Sequence, residues 1–165
     1  MDTNEKQAQA IVRKYMYFCA GAGLVPVPFL DIGSVSMLQM DMLRHICQTY
    51  NIPFDDSLVK RALLALVGSS VPRIAASLIK AIPGIGTWIG DLSMAVLAAT
   101  STYAIGQVFI QHFEAGGNMH NFKVSDFKKV YDELLVKGKE MADTLLKNKG
   151  QFTMDKKKNK KNKKE

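Results

Sequence analysis

Apolar residues recur at helical spacing through most of the chain. Ala8, Ile11, Tyr15 and Phe18 predict a first helix from about Asn4 to Ala20. Gly21 and Gly23 end it. Leu24-Val25-Pro26-Val27-Pro28 cannot continue it, because proline lacks the amide hydrogen that a helix interior needs. Pro28 suits the first turn of a second helix, where that missing N–H costs nothing, and Asp31 then stands near the positive helix end. Ile32, Val35, Leu38, Met42 and Ile46 give this helix an apolar stripe out to about Tyr50.

Asn51-Ile52-Pro53 interrupts the pattern. Asp55 or Asp56 caps a third helix, which runs through Leu58, Leu63 and Leu66 to Val67. Gly68-Ser69-Ser70-Val71-Pro72 reads as a kink or short turn before a fourth helix from Arg73 to Ala81. Ile82-Pro83-Gly84-Ile85-Gly86 is a second hard break. A long fifth helix follows from about Trp88 to Phe113, ended by Gly116-Gly117-Asn118. Ser125 can cap a sixth, with the stripe Phe127, Val130, Leu134, Met141 and Leu145. No stretch alternates with period two, so no sheet is expected. The predicted fold is all-α, a compact bundle of five to six helices with two Pro/Gly-broken apolar hairpins. Residues 4–122 form its body, 123–149 an amphipathic C-terminal helix, and 150–165 a disordered basic tail.

The two breaks share a pattern. An apolar residue and Pro (Val27-Pro28, Ile82-Pro83) precede a helix with an early acid (Asp31, Asp91), as a duplicated hairpin would. Pro26, Pro28, Asp31, Pro83, Gly84, Gly86 and Asp91 are therefore the candidate hinge or membrane-contact residues.

The long helix raises the membrane question. Ala81 to Phe113 holds 33 residues and one charge, Asp91, and the 22 residues from Leu92 to Phe113 hold none. A bilayer core needs about 20 apolar residues in helix. Against a simple span stand Ser93, Thr100, Ser101, Thr102, Gln107 and Gln111, acidic flanks at Asp91 and Glu114, and a mean hydropathy of −0.02 for the whole chain. The other reading is a central helix buried on every side. Its polar residues Ser93, Thr100, Tyr103, Gln107, Gln111 and Glu114 fall on one narrow face. That seam is either a line of internal hydrogen bonds or the lining of a cavity. A second ridge is small: Gly86, Gly90, Ala98, Thr102 and Gly106, at multiples of four, which lets another helix approach closely.

Composition narrows the classes further. With 165 residues, 47% of them hydrophobic and 22% charged, the chain is neither a disordered polymer nor a fibre. Cys19 and Cys47, 28 positions apart, exclude a disulfide scaffold and fit reduced buried thiols in a cytoplasmic protein. The polar start of the chain does not read as a cleaved signal. The net charge of +7 is mostly a tail: residues 155–165 carry seven Lys and two acids. Those lysines, Lys156, Lys157, Lys158, Lys160, Lys161, Lys163 and Lys164, suit an anionic membrane surface. Without interleaved aromatics or Arg they do not suit specific nucleic-acid recognition.

No catalytic constellation is present in the sequence. Gly84-Ile85-Gly86 lacks the spacing and ending of a P-loop, and GxSxG and HExxH are absent. His45, His112 and His120 share no metal-ligand spacing. Asp31 and Asp91 could form a carboxylate pair, but acids at helix starts more often stabilise the helix end. Neither a catalytic residue, a metal nor a cofactor is expected.

Three segments together resemble a known family. They are Gly23-Leu24-Val25-Pro26-Val27-Pro28-Phe29-Leu30-Asp31 followed by Gln39, then Lys80-Ala81-Ile82-Pro83-Gly84-Ile85-Gly86, then Ser101 to Phe113. In this order, over about Ile11 to Gly117, the chain resembles the bacterial family called domain of unknown function 697. The resemblance implies a helical, membrane-associated domain of a kind often fused to or encoded near GTPases of the Era or dynamin-like kind. With no GTPase motif in this chain, the GTPase would be a separate protein. The expectation is a non-enzymatic adaptor or effector at or in the inner face of a membrane. The alternative is a small-molecule-binding or transport element using Tyr103, Gln107, Gln111 and Glu114.

Overall fold

The computed structural model describes the backbone of residues 3–22, 32–80 and 88–138. The fold is all-α. Its helices are α1 (Thr3–Ala22), α2 (Ile32–Thr49), α3 (Asp56–Lys80), α4 (Trp88–Glu114) and α5 over 124–138. No strand occurs among the described residues.

Contacts along the helices give their directions. On α1, Gln9 meets Gln107, Val12 meets Gly106 and Cys19 meets Thr102, so α1 and α4 are antiparallel. Gln39 of α2 meets Ser101, and Tyr50, just past its end, meets Glu114, so α2 runs parallel to α4. On α5, Phe127 lies against His112 while Gly138 lies against Thr100, so α5 is again antiparallel to α4. The short link after α2 returns the chain as α3, and Arg44 of α2 bonds Asp56 at its start.

Helix α4 is the centre and packs on α1, α2, α3 and α5. From Val96 to Ile110 every residue is buried except the half-buried Leu97. That explains the missing charges: a helix covered all round has no face on which to keep them in water. No helix among the described residues is long and apolar enough to cross a membrane. The spanning reading of this run is therefore replaced by central burial.

The third and fourth predicted helices are one continuous helix, α3, of 25 residues. Pro72 withdraws a single amide donor, a cost of about 3 kcal/mol in a helix interior. Strong helix formers flank it, with Ala62, Leu63, Leu64, Ala65 and Leu66 before and Ile74, Ala75, Ala76 and Leu78 after. The inward face of α1 also differs. Phe18 is 54% exposed, and Val12, Met16 and Cys19 join Ala8 and Tyr15 in the core. This broader face serves two neighbours, α2 and α4, where a single stripe serves one.

Helix ends follow their sequence signals closely. Asp55 caps α3, its Oδ1 accepting the amides of Ser57 and Leu58 at 2.9 and 3.0 Å. A bond of 2.7 Å from the Ser57 hydroxyl, together with these amides, holds its carboxyl below the usual carboxylate range. Helix α2 ends with Asn51 left-handed (φ 54°), while the amides of Asn51 and Ile52 bond back to Gln48 and Cys47. Helix α4 ends the same way on Gly116 (φ 80°). Ser125 is an exception: it lies inside the first turn of α5 and donates to Asp126. On α5 the deepest residues are Tyr131 and Leu135, with Phe127, Val130 and Leu134 at the edge of the contact. Met141 and Leu145 lie outside the described residues.

Candidate functional site

The polar seam of α4 does not stay one environment. Thr100, Tyr103 and Gln107 are buried, whereas Gln111 and Glu114 are exposed; nothing is described of the Ser93 side chain. Helix α5 covers the buried end, where a Cβ on Gly138 would lie 3.0 Å from the Thr100 carbonyl and 3.1 Å from the Tyr103 ring. Helix α1 covers Gln107. The amides of Gln9 and Gln107 exchange two hydrogen bonds of 2.9 and 2.6 Å, each donating to the other.

Where α1 and α4 part, an open cleft of about 510 Å³ remains, lined by Glu5, Gln9, Gln107, Ile110, Gln111, Glu114 and Ala115. Glu114 also accepts a hydrogen bond from Tyr50. None of these residues is a thiol, imidazole or amine; the cleft offers two carboxylates, Glu5 and Glu114, and amides. The structure thus brings Gln107, Gln111 and Glu114 to one cleft and leaves Tyr103 inside the bundle.

The Gln pair yields a direct test. Gln107→Leu leaves a half-buried amide on Gln9 without its partner and costs about 1–2 kcal/mol in urea denaturation. The double variant Gln9→Leu/Gln107→Leu regains most of that loss, because two apolar side chains leave nothing unsatisfied. Equal losses in the single and double variants would contradict the pairing.

A second polar node escaped the sequence reading. Gln39 is buried and donates to Ser101 at 2.9 Å and Thr102 at 3.3 Å. Cys19 Sγ lies 3.4 Å from the Thr102 hydroxyl. Only the quoted signature containing Gln39 hinted at it. Burial raises both thiols, that of Cys47 to about 11, so neither is a ready nucleophile. A third group, Tyr15, Asp41 and His45, joins α1 to α2. Tyr15 donates a short bond to the Asp41 carboxylate and lies 3.2 Å from His45 Nδ1. Burial and Asp41 push the phenol up to about 12, which keeps it neutral. The i, i+4 spacing of Asp41 and His45 was its signal in the sequence.

His112 is a helix-end residue. Its Nε2 donates to the Asn118 carbonyl at 2.9 Å, and its ring stands edge-on to Phe122 and Phe127. Among the described residues no group of three His, Cys, Asp or Glu is placed to hold a metal. Pro26, Pro28, Asp31, Pro83, Gly84 and Gly86 lie outside the described residues, as do all seven lysines of the tail. Asp91 falls within α4, but its side chain is not among those described.

Residues 1–140 match the family described as Domain of unknown function (DUF697). This chain belongs to the DUF697 family. Magnetosome membrane protein 22 of Magnetospirillum gryphiswaldense is 34% identical over 140 residues, which cover 82% of this chain and 72% of that relative. No solved structure matches. The DUF697 match runs past Gly117 to residue 140 and so takes in α5. Two of the sequence signatures meet in space, Gln39 from the first and Ser101 and Thr102 from the third. In this DUF697 chain they form an internal node, not an open site.

Proposed function

We propose that this DUF697 protein is a non-enzymatic, membrane-associated helical module that serves as an adaptor or effector. The observation that carries the reading is its 34% identity, over 140 residues, to a protein named for a membrane. The internal chemistry supports it. Much of the polar chemistry of α4 is spent on its neighbours, Gln107 on Gln9 and Ser101 on Gln39. Because α4 is covered by other helices from Val96 to Ile110, attachment would be peripheral or confined to one leaflet. The resemblance adds a separate GTPase as the partner for which the module would act. The transport alternative is weaker, since Tyr103 and Gln107 are engaged within the bundle.

Membrane fractionation tests the reading. The full chain is expected to sediment with membranes, to be thinned by high salt and to be released by carbonate. Residues 1–154, which lack the lysine-rich end, should sediment less at low salt, because each lysine near an anionic surface is worth about 1 kcal/mol. A full chain that stays in the supernatant under all conditions would overturn it.

A further inference from the structure

We infer that the outward face of α1 is the membrane contact, lying side-on in the headgroup layer of an anionic leaflet with its cations on the phosphates and the rings of Tyr17 and Phe18 at the acyl boundary. This rests on the membrane reading above and names the surface that makes the contact.

The inner face of α1 is already used, since Ala8, Val12, Tyr15, Met16 and Cys19 are buried in the bundle. The outer face recurs at steps of three and four residues, through Lys6, Ala10, Arg13, Lys14, Tyr17 and Phe18, all of them exposed. It spans about 18 Å at 1.5 Å per residue. Three cations lie on this face and no acid does. Glu5, the acid of this helix, lines the cleft beside α4 instead. Among the described residues none of the three cations has an acidic partner, the ion pairs being those of Arg44 and His45. Helix α5 differs: its exposed Lys128, Lys129 and Lys137 share the surface with Asp126 and Glu133. Mixed signs are what a solvated helix carries, whereas an acid-free row of cations complements a layer of phosphates.

The apolar part of the face is gathered at one end. Tyr17 and Phe18 are 50% and 54% exposed, although the neighbouring Tyr15 is held inside by Asp41. Met37 of α2 is 73% exposed. Asp41 and His45 both meet Tyr15, so Met37, one turn before Asp41, stands on the side of α2 next to α1. Because α1 and α2 are antiparallel, Phe18 and Met37 both lie about one turn past the Tyr15–Asp41 bond, toward the same end. Lys14 holds its ammonium 5.9 Å from the centre of the Phe18 ring, so the cationic and apolar parts are continuous. Asp41 itself is bonded to Tyr15 and paired with Arg44 at 3.6 Å, which blunts its repulsion of phosphate. Aromatic rings beside cations are the side chains that settle at a bilayer surface.

Both native thiols are buried, so an environment-sensitive dye can be attached through Ala10→Cys in the middle of this face, or through Lys129→Cys on α5 for comparison. Each labelled full chain is mixed with vesicles of two parts phosphatidylcholine to one part phosphatidylglycerol, with and without brominated acyl chains, and with vesicles of phosphatidylcholine alone. The expected result is a blue-shifted emission at position 10, quenched by brominated chains, and no change at position 129. Co-sedimentation should weaken at least tenfold in Arg13→Gln/Lys14→Gln and about tenfold in Tyr17→Ser/Phe18→Ser, with the circular dichroism unchanged because these side chains are already in water. A sedimenting chain whose dye at position 10 stays in water would place the contact on another face, overturning this inference while membrane association stands. Either double variant binding as well as the native chain would do the same. Equal binding to neutral vesicles would also overturn it. No binding to either vesicle would remove both readings.

Discussion

Gly106→Val is expected to leave the chain without its native fold, and Gly106→Ala to survive with a large loss of stability. A Cβ at Gly106 would sit 2.4 Å from one Val12 methyl and 2.9 Å from the other. Val12 is fully buried and β-branched, so it has no second rotamer to which it can retreat on a helix. The clash is relieved only by moving α1 off α4, the most extensive helix contact in the bundle. Alanine normally stabilises a helix interior by about 1 kcal/mol relative to glycine. Overpacking costs about 1–3 kcal/mol, and here it should exceed that gain. Valine adds two more methyls in the same space and challenges a total stability of about 5–15 kcal/mol. Urea denaturation followed by circular dichroism checks this. Val12→Ala alone should cost about 2 kcal/mol. Combined with Gly106→Ala, it should cost clearly less than the two single losses together. Simple additivity would show that the close approach is not the cause.

Gly117→Ala should lower the melting temperature by roughly 2–12 °C, from an overpacking cost of about 1–3 kcal/mol and about 2–4 °C per kcal/mol at this size. A Cβ there would lie 2.3–2.6 Å from three atoms of the His112 ring. The ring cannot step aside. It is buried, bonded to the Asn118 carbonyl, and packed edge-on against Phe122 and Phe127. Phe122 in turn stacks on both Phe109 and Phe127. The glycine thus holds the corner at which the chain turns from α4 into α5. In a His112→Ala background the same substitution should cost little. A melting temperature insensitive to Gly117→Ala in the native background would mean that the corner relaxes freely.

The two glycines differ in how visible they were. Gly106 belonged to a ridge of small residues at multiples of four, so a close helix approach was legible, though not which helix would make it. Gly117 read only as part of a stop signal. Its tight fit to His112 depends on Phe122 and Phe127 folding back, and helical periodicity does not reveal such a turn. The candidate seam shows the same division. Its members could be read from spacing on α4. Its partners, Gln9 of α1 and Tyr50 at the end of α2, come from elements that the sequence does not orient. Asp55 was legible as a cap because an N-cap is a local event, one side chain satisfying amides two and three residues on.

By itself the amino-acid order determined the all-α class, the helix stops at Asn51 and Gly116-Gly117, the small ridge and the long uncharged run. These rest on local physics: backbone torsions, missing amide donors and the 3.6-residue repeat. The tertiary structure alone decided that Pro72 is carried inside one helix, that Phe18 faces water while Val12 faces the core, and that the uncharged run is the buried axis of a bundle. Each of these depends on what packs against a residue from elsewhere in the chain. A charge-free helix is equally comfortable in lipid or among other helices, and only the covering of Val96 to Ile110 by its neighbours separates the two.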